Sequence, residues 1–169
     1  MANTYTLITS NTVGAGGTAQ VDFNSIPQTY TDLLIKTSTN ASSLTILRIR
    51  FNSVSSNDYT QIVLRGTGAA AASYSNAGWD TLSAFSPSYN NDGTSIFSNN
   101  EYYIPNYTSS NAKSFSGDSV TEANATTAYA ILYAGLLNNT SAVTSISFLP
   151  SSGNFAQYST FYLYGISNS

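Results

Sequence analysis

Asp80, Asp92 and Glu101 lie close enough in the chain to supply the paired carboxylates of a glycosidase, one acting as acid and the other as base or nucleophile. Nothing around them marks such a pair. Serine is abundant, but a serine nucleophile needs a base beside it. The chain has no histidine and no cysteine, and only two lysines. Most proton transfer near neutral pH uses groups that are missing or scarce here. The same absences remove the commonest transition-metal ligand and all thiolate and disulfide chemistry. Asn90-Asn91-Asp92-Gly93 offers oxygens to a hard cation, but a calcium loop needs several spaced carboxylates and a late Glu, so it reads as a turn. Gly14-Ala15-Gly16-Gly17 resembles a phosphate loop only superficially. No Lys-Ser/Thr follows it, and a strand rather than a helix comes next. It fits a hairpin turn that needs positive φ. No catalytic residue, cofactor site or metal site is expected, and the chain reads as a non-enzyme.

Neutral polarity takes the place of charge. The 169 residues include 28 Ser, 21 Thr and 18 Asn, about 40% of the chain, against five basic and eight acidic residues. The net charge of −3 comes without a basic stripe, since Lys36, Arg48, Arg50, Arg65 and Lys113 are scattered. A nucleic-acid partner would need such a stripe. The longest mostly apolar run, Ala128 to Leu137, is half of what a membrane-spanning helix requires. Neither nucleic acid nor membrane is expected as a partner. The N-terminus lacks the basic stretch and apolar core of a signal peptide, which predicts synthesis in the cytoplasm. Apolar content of 41% and 22 aromatic residues predict a folded chain rather than a disordered one.

The elements that must position these residues have a period of two. In Leu44 to Phe51, Leu47, Ile49 and Phe51 share one face, and Arg48 and Arg50 the other. Tyr30 to Thr39 places Leu33 and Ile35 together, opposite Asp32 and Lys36. These two runs are expected to pair as a hairpin, setting Asp32 and Lys36 near the two arginines. Further strands are predicted at Thr4–Thr9, Thr18–Phe23, Asp58–Arg65, Glu101–Ile104, Lys113–Glu122, Val143–Leu149 and Tyr158–Ile166. Pro105 suggests that the strand before it lies at an edge or ends there. Thr127–Leu137 is apolar on both faces. Its β-branched and aromatic residues and the closing Asn138-Asn139 favour a central strand over a helix. About nine or ten strands with frequent turn signals predict an all-β, single-domain β-sandwich over residues 1–169. The stretch at about 66–100 breaks the rhythm and reads as an irregular insertion.

Aromatics suit interfaces because they bury large area with few rotors. Trp79, Phe85 and Tyr89 fall in the insertion, and Tyr102, Tyr103 and Tyr107 surround Pro105. These six are the candidate interface, with coverage of the sandwich ends as the competing reading.

Tyr5-Thr6-Leu7-Ile8, Ser25-Ile26-Pro27-Gln28-Thr29-Tyr30-Thr31-Asp32-Leu33, Tyr103-Ile104-Pro105-Asn106-Tyr107 and Tyr162-Leu163-Tyr164-Gly165-Ile166 together resemble small virion structural proteins of tailed bacteriophages. Among these the chain looks most like the capsid cement, or decoration, proteins of aquatic phages. The resemblance implies a jelly-roll-like fold, a homotrimer, the major capsid protein as partner and a place on the outside of the head. The motifs are strand and turn sequences, so no functional residue is carried over. The competing expectation is a tail-fibre or adhesin module that binds surface glycans through Asn, Asp and aromatic side chains.

Overall fold

A computed structural model describes residues 4–43, 45–88, 96–122 and 128–167, without the side chains of 84–88 and 122. Twelve strands and no helix are present among the described residues. They are β1 (Tyr5–Thr12), β2 (Val21–Phe23), β3 (Asp32–Thr39), β4 (Thr45–Phe51), β5 (Tyr59–Gly66), β6 (Ala71–Trp79), β7 (Leu82–Ser88), β8 (Ser98–Ile104), β9 (Lys113–Glu122), β10 (Ala128–Leu137), β11 (Ile146–Pro150) and β12 (Thr160–Ile166).

All pairings are antiparallel and form two sheets. The smaller runs β2-β11-β4-β7, and the larger runs β1-β12-β3-β8-β9-β10-β5-β6. Eight strands, β1-β12-β3-β8 and β2-β11-β4-β7, have the connectivity of a jelly roll. In chain order they alternate between the two sheets, except that β4 and β7 follow one another in the smaller sheet and pair there. The remaining four are two hairpins, β5–β6 inserted between β4 and β7, and β9–β10 inserted between β8 and β11. They pair with each other through β10 and β5 and extend the larger sheet beyond β8.

This connectivity overturns the expected hairpin of Tyr30–Thr39 with Leu44–Phe51. β3 pairs with β12 and β8, whereas β4 pairs with β11 and β7 in the other sheet. Asn40 to Ser43 therefore carry the chain across the sandwich. An apolar inner face packs as well across the sandwich as beside a neighbour in one sheet, and here the inner faces of β3 and β4 meet across the core. The Gly14–Gly17 turn also crosses between sheets rather than closing a hairpin. Positive φ at Gly16 and Gly17 is present as expected. The strand before Pro105 is interior, flanked by β3 and β9, and Pro105 ends it by opening a turn.

The strand count is twelve rather than nine or ten because β6 and β7 have few β-branched residues. They fall inside the stretch expected to be irregular. Residues 89–95 of that stretch, including Tyr89, Asn90-Asn91-Asp92 and Gly93, lie outside the described residues.

The core follows the alternation. Leu47, Ile49 and Phe51 of β4 face Leu33, Ile35, Phe161 and Leu163 of the larger sheet, and all are buried. Phe148 packs its ring 5.0 Å from Phe161, which in turn packs 5.0 Å from Phe155. A second aromatic group ties the inserted hairpin to the jelly roll. Tyr102 of β8 lies 6.4 Å from Phe115 of β9 and 5.9 Å from Tyr133 of β10. The rings fit because glycines lie beneath them. A Cβ on Gly135 would sit 1.6 Å from the Phe115 ring, and one on Gly117 would sit 2.5 Å from Tyr102.

Candidate functional site

The outward face of the larger sheet divides into two unlike halves. On β9, β10, β5 and β6 the register aligns Val120 with Ala130, Gly66 and Ala71. The next rows are Asp118, Leu132, Leu64 and Ser73, and then Ser116, Ala134, Ile62 and Ser75. A fourth row holds Ser114, Leu136, Thr60 and Ala77. Leu132 is 58% exposed, Ile62 56%, Leu64 53% and Val120 47%. A trough of about 670 Å³ runs among Leu64, Ala71, Ser73, Val120, Ala130 and Leu132.

This half arises because β10 is apolar on both faces. Ile131 and Tyr133 point into the core while Ala130, Leu132 and Ala134 point out. The strand is central as expected, but only one of its faces is covered among the described residues. Likewise Ile62 and Leu64 share a face, and it is the outer one. Tyr59, Gln61 and Val63 fill the inner positions of β5. Gln61 holds the nearby edge strand, accepting from the Ser83 amide at 3.0 Å and donating to the Ser83 carbonyl at 3.1 Å.

On β12, β3 and β8 the same face carries tyrosines and charge. One row aligns Tyr162, Lys36, Glu101 and Asp118. The next aligns Tyr164, Leu34, Tyr103 and Ser116. Tyr162 and Tyr164 stack with ring centroids 6.5 Å apart and planes 25° apart. Lys36 pairs with Glu101 at 2.7 Å, and this carboxylate holds the ammonium pKa above its ordinary value. These side chains, with Ser38, Asn99 and Thr160, line a groove of about 460 Å³. Beside it, buried Asp32 accepts from the Tyr103 hydroxyl at 2.6 Å and from the Asn106 amide at 2.8 Å. The hydrogen bond to Asp32 pushes the Tyr103 phenol up to about 12. The expected cluster of Asp32 and Lys36 with Arg48 and Arg50 does not form. Arg50 pairs instead with Asp80 at 2.6 Å.

The six interface candidates separate. Tyr102 and Tyr107 are core residues and are not available to a partner. Burial raises the Tyr102 phenol well above its ordinary value, and Tyr107 donates to the Pro27 carbonyl. Trp79 packs against the core at the end of β6. Tyr103 is exposed and belongs to the tyrosine half. Phe85 lies in β7 with its side chain outside the description, and Tyr89 lies outside the described residues altogether. Sequence reasoning missed the aliphatic half. The usable signal was the second apolar face of 127–137 together with Ile62 and Leu64, which the period of two puts on one face.

The glycosidase pair finds no support in geometry. Asp80 and Glu101 are each held by a cation, and Asp92 lies outside the described residues. Among the described residues no three carboxylates gather where they could hold a metal ion. No protein-family model matches the chain, and no curated protein is significantly similar to it.

Proposed function

We propose that this chain is a structural protein of a phage capsid exterior, a cement protein that assembles as a homotrimer and braces the major capsid protein. The aliphatic half of the outer face carries this reading. Monomeric proteins rarely leave a contiguous patch of large aliphatic side chains in water, and such patches usually mark a docking surface. The low charge of the chain removes the repulsion that would resist assembly. The resemblance to decoration proteins supplies the partner, and the jelly-roll connectivity agrees with what that resemblance implies.

Magnitudes favour many weak contacts over one strong contact. Fully burying an exposed Leu, Ile or Val yields roughly 1.5–3 kcal/mol. These side chains are already about half covered, so each adds roughly 1 kcal/mol. Association itself costs an estimated 4–15 kcal/mol. A single isolated contact of this size is therefore marginal. Repeated contacts within a trimer and across a shell gain by avidity.

The test is binding to empty capsid shells that lack the protein. Wild-type protein should co-sediment at a fixed ratio to capsid subunits. Failure to bind such shells, or labelling of the tail rather than the head in electron micrographs, would sink the proposal.

The tyrosine groove favours a second reading, a glycan-binding module. Stacked Tyr162 and Tyr164 offer apolar ring surface with polar tips. Lys36, Glu101, Asp118 and Asn99 surround them with donors and acceptors for sugar hydroxyls. Retention on a glycan array that is lost with Tyr162→Ala would support this reading, and an array without hits would remove it.

A further inference from the structure

The two sheets end in four edges, and three of them are blunted. β1 is broken by a bulge between Leu7 and Thr9. β2 has only three residues, one of them Asp22. β7 contains Pro87 and a register shift opposite Ile46 and Leu47. Short length, charge, proline and bulges are the devices by which proteins stop sheet edges from pairing with other chains. β6 has none of them over Ala71 to Ala77. Its one irregularity is at the far end, where Gly78 takes φ 70 and the register shifts between Tyr59 and Thr60. The strand is nine residues long, without charge or proline. No described strand pairs with its outer edge.

The outward positions of β6 read Ala71, Ser73, Ser75, Ala77. That order is the same in both directions. An antiparallel partner strand centred on Tyr74 would meet Ala71 with Ala77 and Ser73 with Ser75, so the edge is complementary to itself. Small side chains keep the seam flat. β6 is also held in shape, since Arg65 of β5 lies 5.2 Å from the Tyr74 ring and 5.5 Å from that of Tyr129.

We propose that β6 pairs antiparallel with β6 of a second copy about a two-fold axis at Tyr74. Each strand supplies the backbone donors and acceptors the other lacks, and the two aliphatic halves join into one surface. A two-fold contact is isologous and uses one patch twice. It therefore makes a dimer of single chains or joins one trimer to another. The pairing is independent of the cement reading, because it requires only the edge.

Mass measurement by light scattering tests it. The wild-type assembly should contain an even number of chains. Ser75→Pro, which removes a backbone donor, should halve that mass, and so should the double variant Ser73→Lys/Ser75→Lys, which places like charges across the seam. Near-ultraviolet circular dichroism should match wild type in at least one variant. The register has its own readout, because the chain has no cysteine. A mixture of Ser73→Cys and Ser75→Cys proteins should form a disulfide on oxidation, while either alone should not. Directly opposed residues lie about 4.5–5.5 Å apart, within disulfide reach, whereas the 73–73 diagonal exceeds the roughly 7 Å limit. A wild-type trimer or monomer, folded variants with unchanged mass, or no cross-link in the mixture would each overturn the pairing. A trimer would leave the cement reading standing. A dimer that both variants split and the mixed cysteines cross-link would support the seam and remove the trimer.

Discussion

The two halves of the outer sheet face share one pleat and one register, yet their surfaces differ in kind. The half on the jelly-roll strands carries Tyr162, Tyr164, Tyr103 and the Lys36–Glu101 pair. The half on the inserted hairpins carries Leu132, Leu64, Ile62 and Val120 among Ala and Ser. Hydrogen bonding and ring surface on the first half suit small polar ligands. Beyond its serines, Thr60 and Asp118 at the border with the first half, the second half has little to donate or accept, so dehydration is its main source of binding free energy. The difference follows the topology. The four additional strands form an annex to a fold that is complete without them, and the annex holds most of the exposed aliphatic surface.

Separating the halves by mutation gives the largest expected effect. Leu64→Asp/Leu132→Asp should lower binding to shells by a hundredfold or more, since two unpaired charges would have to be desolvated in the contact. Both side chains already face water, but the new carboxylates oppose each other and Asp118 in one row, so the unfolding free energy should fall by about 1 kcal/mol while the fold is kept. Tyr162→Ala/Lys36→Ala should leave shell binding unchanged. Equal losses from both variants would erase the distinction.

The join between the halves comes next. Gly135 admits the Phe115 ring, and that ring packs on Tyr102. Gly135→Val should cost about 2 kcal/mol by overpacking, read as a lower midpoint in urea. Selective loss of amide protection in β9 and β10 would show that the annex loosens before the jelly roll does.

A smaller effect is expected in the tyrosine half. Asp32→Ala leaves the Tyr103 hydroxyl and the Asn106 amide without their acceptor and should cost roughly 1–3 kcal/mol. The phenol also reports on this contact by its titration. Tyr103 is held protonated up to about 12, above its ordinary value of 10.0. Below pH 10 both folded and unfolded chains keep that proton, so the contribution is constant. Between pH 10 and 12 the unfolded chain releases it first, and stability falls as pH rises. Tyr59, also raised to about 12 by burial, adds to the same fall. In Asp32→Ala, the Tyr103 phenolate absorbance should appear closer to pH 10.

The sequence made the strands legible where large and polar residues alternate, as in β4, whose inward Leu47, Ile49 and Phe51 are all buried. It hid β6 and β7, because Ala, Ser and Gly carry little strand signal. It also hid the partners of each strand. The short link between β3 and β4 looks like a hairpin turn, but the local pattern does not say which sheet the next strand joins. Burial was the harder quantity. Leu64 and Leu132 are as apolar as Leu33 and Leu47, and local pattern cannot say that one pair faces water. Tyr102 and Tyr107 misled in the opposite direction, because a tyrosine in a buried position keeps its hydroxyl bonded to Asn100 or Pro27.

The smallest effect belongs to the exposed ion pair. Glu101→Gln should change stability by less than about 1 kcal/mol, since both partners are half exposed and screened by salt.

Docking through the aliphatic half is tested most directly by co-sedimentation of wild-type and Leu64→Asp/Leu132→Asp protein with empty capsid shells, run side by side at micromolar concentration. Wild-type protein should pellet with the shells while the variant, equally folded, stays in the supernatant. If the variant pellets as completely as wild type, the aliphatic half is not the docking surface.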